Sequence, residues 1–447
     1  MIRTVVSLNI AGVEKTIMRD NNIAVLVICV LLVFCLFFSG CMEQESVNTT
    51  ESEKALRAEE QGVAAENVVD ANNMFAFDIY KTITAEHTED ENIFLSPFSI
   101  SSVFAPVYEG ARGDTAKEIG SVFHFPENTD TLREEYREIN EEINTGDPNY
   151  ELSIANALWV ENTYPFLESY INTTKEYYSA NTTALDFKNH LEESRLTINS
   201  WAMEKTEDRI QELVPAGMID IYTRLVVTNA IFFKGIWAKK FDENNTMEAN
   251  FTTASGEIEK VPMMQRTATY GYAETDELQA VKLPYENETG NKLSMFVILP
   301  KENELHSVEG TLYFKKIREI EDSMESETVR LSLPKFRFET GYMFSGTLEK
   351  MGVVTAFSDK GADFSGMDGT DELYIREVVH KAFVEVNEEG TEAAAATAVV
   401  VNTIAPPPGY SPPVYTFNAD HPFIFLIEDD ETGNILFIGR VSNPLEN

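Results

Sequence analysis

Few residues of this chain stand at spacings that could do chemistry. The six histidines are His87, His124, His190, His306, His380 and His421. None forms a His-x-x-x-His pair or a His-Glu-x-x-His motif, which would place two zinc ligands on one helix face. No Gly-x-Ser-x-Gly elbow, phosphate-binding loop or dinucleotide fingerprint occurs. The three cysteines are Cys29, Cys35 and Cys41, so from Met42 to Asn447 no thiol nucleophile, cysteine zinc site or disulfide exists. Carboxylate pairs carry no information where Asp and Glu number 74 against 35 Lys and Arg. An enzyme reading thus has little support, although a triad scattered along the sequence would leave no local signature.

One segment suggests mechanical rather than catalytic chemistry. It runs Glu388-Glu389-Gly390-Thr391-Glu392-Ala393-Ala394-Ala395-Ala396-Thr397-Ala398 and continues into Val399-Val400-Val401. Alanine is the best helix former, so a surface helix is one reading. The valines favour a strand, and Asn402–Pro413 ends with five prolines in eight residues, which regular structure does not tolerate. As a strand, Thr391, Ala393, Ala395 and Thr397 share one face, small throughout, with Glu392 on the other. Such a strand can slip into an existing sheet without clashes, and Gly390 supplies a hinge. A loop waiting to insert stores free energy as unmade strand pairing.

The elements that must hold such a loop are mixed. Asn73–Ile83 has apolar residues at helical spacing. Ser96-Pro97 reads as a helix start, with serine as the cap and proline in the first turn. Leu132–Ile143 and Leu191–Ile210 read as further helices. Arg224–Phe233, Leu293–Leu299, Thr328–Phe338, Val378–Val386, Pro422–Ile427 and Ile435–Val441 read as strands, the last two joined in a hairpin by Glu428–Asn434 with Gly433 free to take positive φ. Helices crowd the first third and strands the last half, an α+β pattern. No linker separates two domains after about Val68, which leaves one large domain or two fused ones.

The N-terminus reads as an address. Arg3, Lys15 and Arg19 precede the apolar run Ile23–Phe38, which is short for a membrane span and suited to a signal peptide. The run ends Phe38-Ser39-Gly40-Cys41, similar to a lipoprotein signal in which the cysteine is lipidated. A retained anchor and simple cleavage are the alternatives, and Met18 is an alternative start. Residues 1–40 are therefore expected to be a signal, residues 41–67 a flexible acidic tether, and residues 68–447 the body. Six Asn-x-Ser/Thr sequons, at Asn48, Asn172, Asn181, Asn244, Asn250 and Asn287, fit an extracytoplasmic protein. The net charge of −39 argues against nucleic acid and anionic membrane as partners. It is otherwise the solvated surface of a globular chain with 43% hydrophobic residues.

Taken in order, the motifs of the body resemble the serpins, serine protease inhibitors of the suicide type. The matching blocks are Asn92–Ile100, Thr228–Trp237, Leu333–Phe336, Val379–Ala382, the hinge Glu389–Thr397, His421-Pro422-Phe423 and Gly439–Pro444. The resemblance implies three β-sheets, eight or nine helices and an exposed reactive loop over about 388–416. It implies that a protease attacks the loop, forms an acyl-enzyme and is trapped when the cut loop enters the central sheet. It assigns Glu389, Gly390, Thr391, Glu392, Ala393, Ala394, Ala395, Ala396 and Thr397 to the hinge. It assigns Ser96, Ser99, Asn229 and His380 to a polar cluster where strands must part, and Trp237 to the point where the loop enters. No catalytic residue, metal or cofactor is implied, and the expected partner is a serine endopeptidase meeting a monomer.

The scissile bond depends on how it is counted. Forward from the hinge it falls at Ile404–Ala405, and backward from His421-Pro422-Phe423 near Tyr410–Ser411. The forward count is preferred, because the inserted strand must reach the far pole at full length. Either primary residue is apolar or aromatic, which points to chymotrypsin-, elastase- or subtilisin-like proteases rather than trypsin-like ones. A non-inhibitory carrier and an inhibitor of papain-like proteases are the alternatives. The carrier reading would predict bulky, charged or proline residues at Thr391, Ala393, Ala395 or Thr397, and none is present.

Overall fold

A computed structural model describes residues 64–290, 292–301, 304–391 and 413–446. The signal, Cys41, nearly all of the tether, hinge residues Glu392–Thr397 and both candidate scissile bonds lie outside the described residues.

Helix α1 (Val68–Glu86) begins where Asn67 accepts a hydrogen bond from the Asp70 amide. After β1 (Ile93–Leu95), α2 (Pro97–Gly110) starts as the sequence suggests: the Ser96 side chain accepts from the Ser99 amide, and Pro97 takes the first turn. Helices α3 (Gly113–Val122) and α4 (Thr129–Thr145) follow, then β2 (Tyr150–Glu161), α5 (Glu168–Tyr177), β3 (Asn181–Leu185) and α6 (Leu191–Lys205). Strands β4 (Leu225–Ile236), β5 (Met247–Thr252), β6 (Ile258–Glu274), β7 (Leu278–Pro284) and β8 (Leu293–Pro300) lead to α7 (Leu305–Thr311) and α8 (Phe314–Asp322). The chain ends through β9 (Glu325–Pro334), β10 (Phe336–Met343), α9 (Ser345–Met351), α10 (Ser365–Asp368), β11 (Ile375–Val386), β12 (Gly390–Thr391), β13 (Val414–Asn418), β14 (Phe423–Asp429) and β15 (Ile435–Val441). The described residues thus hold ten α-helices, three of them of seven residues or fewer, against the eight or nine expected.

Two expected elements differ. The helix expected to reach Ile210 stops at Lys205: Glu207 and Asp208 take left-handed backbone (φ 48° and 64°), and the Thr206 hydroxyl accepts the Ile210 amide. The strand expected over Thr328–Phe338 is two strands. Pro334 has no N–H to donate, and the Lys335 amide turns to the Pro262 carbonyl, sending β9 and β10 into different sheets. The hairpin of β14 and β15 turns as expected, with Gly433 at φ 72°.

The central sheet runs β10-β11-β4-β2-β3, with β12 wedged between β11 and β4 at one end. The other strands form a continuous nine-stranded network in which β6 serves twice. Its length pairs with β5 and β9, while Gly271–Glu274 also pair with β7 and so join β7-β8-β14-β15-β1. The three expected sheets are present, two of them sharing β6. Alternation divides β4 cleanly: Leu225, Val227, Ile231 and Phe233 face the main core, while Val226 and Ala230 face a smaller core with Trp159 and Ile198.

Candidate functional site

The main-core face of the central sheet is apolar except along one row. On β2 the alternation Leu152, Ile154, Leu158, Val160 is broken by Asn156. On β4 Asn229 interrupts Leu225, Val227, Ile231 and Phe233. On β11 His380 interrupts Val378, Ala382 and Val384. Register places these three residues side by side, Asn156 opposite Asn229 and Asn229 opposite His380, with Tyr342 of β10 opposite His380.

Hydrogen bonds tie the row together and to the start of α2. His380 Nδ1 meets Asn229 Oδ1 at 2.5 Å, and the Ser96 amide donates to His380 Nε2 at 3.2 Å. The ring is therefore neutral, with its proton on Nδ1. Burial, which desolvates the charged form, pushes its pKa down to about 3. Asn229 Nδ2 donates to the Ser99 hydroxyl, to the Ser99 carbonyl at 3.1 Å and to Asn156 Oδ1 at 2.5 Å. Asn156 donates onward to Ser102 at 2.6 Å, and Ser96 Oγ donates to the Leu436 carbonyl at 2.6 Å. The rings of Phe344 and Tyr342 stack near His380. The seam between β4 and β11 is thus closed here by a polar lock whose members lose partners in an apolar interior if the strands separate.

The structure brings together Ser96, Ser99, Asn229 and His380. Trp237 stands elsewhere, where the seam is already open. The parallel pairing of β4 and β11 runs from Leu225 and Ile375 to Phe232 and Phe383 and stops. A few residues beyond, Gly390 pairs with Ile236, and Thr391 pairs with Gly235 on one side and Val386 on the other. β12 runs antiparallel to both neighbours. Extended downward, it would replace one parallel pairing by two antiparallel ones, which are more favourable per residue.

This entry point is held tightly. Trp237 donates its indole N–H to the Asn387 carbonyl at 3.0 Å and its amide to the Glu389 carbonyl at 2.9 Å. Its ring stacks on Tyr285 at 4.6 Å, and the Tyr285 hydroxyl meets the Thr391 hydroxyl at 2.7 Å. Thr391 is 1% exposed. Glu388 is held by Lys335 at 2.7 Å and Thr246 at 2.7 Å. Burial alone would raise its pKa, but these donors outweigh burial and lower it. Glu389 pairs with Lys240 at 2.9 Å. Gly390 acts by close approach rather than by positive φ: a Cβ there would lie 1.9 Å from the Gly235 carbonyl oxygen.

Sequence reasoning missed Asn156, Ser102, Tyr285, Lys240 and Lys335. For Asn156 a signal existed, a lone amide in an apolar alternation, but β2 was not recognised as a strand. For Lys240 none existed, because its carboxylate partner is remote in sequence; Lys335 lies in the matched block Leu333–Phe336, but nothing in that block indicates its pairing with Glu388.

Residues 70–444 match the profile of the family described as Serpin (serine protease inhibitor). The chain is 41% identical to an uncharacterized serpin-like protein of Methanosarcina mazei, over 94% of this chain and 97% of that one. It is 39% identical to the leukocyte elastase inhibitor of Homo sapiens, over 85% of this chain and 100% of that protein. Among solved structures, Serpin48 of the insect Tenebrio molitor superposes with a TM-score of 0.73 at 31% identity, over 84% of this chain and 98% of that one. Human thyroxine-binding globulin, in its complex with thyroxine, gives 0.76 at 29% identity, over 85% and 99%.

Proposed function

The chain belongs to the serpin family, and from that membership we propose that it is a suicide inhibitor of serine endopeptidases. The carrying observation is the two-residue strand β12, seated between β4 and β11 above a seam that is otherwise closed. The hinge has entered the sheet by Gly390 and Thr391 and can go further only if the polar lock at His380 and Asn229 opens. Small side chains at the following positions let it do so.

In this reading a target protease acylates itself on the primary residue, Ile404, releasing Ala405 as the new amino terminus. Freed at that end, the loop inserts as a strand antiparallel to both neighbours and carries the tethered protease to the opposite pole. Its oxyanion hole and triad are then distorted and deacylation stalls. The nucleophile belongs to the protease; the inhibitor supplies the spring. An apolar residue at 404 suits elastase- or chymotrypsin-like pockets, and the relative called leukocyte elastase inhibitor supports that class. The protein acts as a monomer outside the cytoplasm, exported by residues 1–40 and anchored through a lipid on Cys41.

Incubation with elastase- and chymotrypsin-like proteases tests this. An SDS-stable adduct of the chain with the protease is expected, together with a short C-terminal peptide whose mass begins at Ala405. Clean cleavage without an adduct refutes inhibition of those proteases. A peptide beginning at Ser411 moves the bond to Tyr410.

A further inference from the structure

Neither the hinge nor the seam makes use of the sequons, and their placement is uneven. Asn172 is exposed on α5, the helix before β3, and Asn181 is the exposed first residue of β3. Asn244 is exposed in the short turn Glu243–Asn245 before β5, and Asn250 is exposed within β5. Only Asn287, half-buried in the loop after β7, lies apart. Four of the five sequons on described residues therefore flank or occupy two strands.

Those two strands share a property. Among the described residues β3 pairs only with β2, and β5 only with β6. Each leaves a row of backbone groups outside any strand pairing, except that at the end of β5 the Thr252 amide donates to the Asp420 carbonyl at 2.8 Å. The usual guards are sparse: β3 (Asn-Thr-Thr-Ala-Leu) has no charge and no proline, and β5 has Glu248 alone. Other sheet borders are protected differently. β10 carries Arg337 and Glu339, β1 is fully buried, and Gln279 donates to the Thr416 carbonyl on β13. A protein built to accept an extra strand is especially exposed to pairing in the wrong place.

We propose that Asn181 and Asn250 are N-glycosylated, and that these glycans guard the two bare edge strands against strand addition by a second copy. Each amide Nδ2 forms an N-glycosidic bond to the anomeric carbon of a lipid-phosphate-linked oligosaccharide. The lipid phosphate leaves with the bonding electrons, and the amide proton passes to a base of the transferase. A hydrated oligosaccharide rooted on the strand sweeps the space a partner strand would need. The inference rests on the extracytoplasmic reading above.

The test uses the full chain made in the cell that naturally produces it, with fractionation and mass spectrometry of the peptides spanning Asn181 and Asn250. Sugar-sized mass increments on both are expected. The Asn181→Gln/Asn250→Gln and Thr183→Ala/Thr252→Ala variants, folded by circular dichroism, are expected to show a several-fold rise in oligomer on gel filtration after incubation. Thr183→Ser/Thr252→Ser, which keeps both sequons, is expected to stay monomeric. Exported chain bare at both asparagines overturns the inference and leaves the localisation standing. Chain retained in the cytoplasm overturns both. Glycosylated chain whose bare variants oligomerise no more than the parent overturns the guarding role.

Discussion

Thr391→Arg should turn the inhibitor into a substrate, and the size of the effect follows from the hinge. Thr391 is buried beside Tyr285, with its hydroxyl bonded to the phenol at 2.7 Å. The two carboxylates near it are occupied, Glu388 by Lys335 and Glu389 by Lys240, so an incoming guanidinium finds no free anion among them. Losing the hydroxyl bond costs about 1 kcal/mol. An unpaired charge at a buried position costs at least about 3 kcal/mol. Before cleavage the variant can relieve most of this by withdrawing β12, which gives up only the pairings of Gly390 and Thr391. Full insertion offers no such escape, because residue 391 must then lie inside the sheet. About 3 kcal/mol added to the barrier slows insertion roughly a hundredfold. Deacylation, which depends on the protease, keeps its rate and wins. The assay titrates protease with inhibitor and runs the products on a denaturing gel. The number of chains consumed per protease inactivated should rise steeply, with cleaved chain replacing the adduct, while Thr391→Ser behaves as the parent. Unchanged stoichiometry in the arginine variant would refute the claim that position 391 must enter the sheet.

Other expectations follow from the same geometry. Asn156→Ala leaves Asn229 and Ser102 short of a partner and should lower stability by about 1–2 kcal/mol, read by chemical denaturation. His380 takes up no second ring proton until about pH 3 while buried, but once the seam opens its ring titrates near an ordinary 6.5. Between those values the open state binds the extra proton, so opening should become easier as pH falls from about 6.5, by up to about tenfold per unit. Annealing of a peptide copying residues 391–404 should therefore quicken at pH 5.5 relative to 7.5, and His380→Gln should flatten that dependence. Glu388→Gln removes an ion pair worth about 1 kcal/mol, so amide exchange around Asn387–Thr391 should rise about fivefold. Gly390→Val places atoms against the Gly235 carbonyl and should expel β12, seen as loss of protection at Thr391.

Local chemistry explains what the sequence made legible. Ser96-Pro97 predicts a helix start because a capping hydroxyl and a missing N–H act within one turn, and the same holds for Gly433 in its hairpin. His380, Asn229, Ser96 and Ser99 were grouped by family resemblance, and register then supplied the reason: they meet across β11, β4 and the first turn of α2. Asn156 escaped because its meaning depends on lying opposite Asn229, some seventy residues away. The break at Lys335 escaped because Val329–Phe338 reads as one apolar-rich run, and only the separate destinations of β9 and β10 divide it. Gly390 was expected to serve through backbone freedom but is required by contact with another strand, which no single-segment pattern encodes.

The central claim is that the cut loop completes the sheet between β4 and β11. Its most direct test is the melting temperature of the chain before and after a single cut in the reactive loop by a protease it does not trap. Insertion adds strand pairing on two sides, so the cut protein should melt at a clearly higher temperature. An unchanged or lower melting temperature, with the loop shown by mass spectrometry to be cut, would contradict the account.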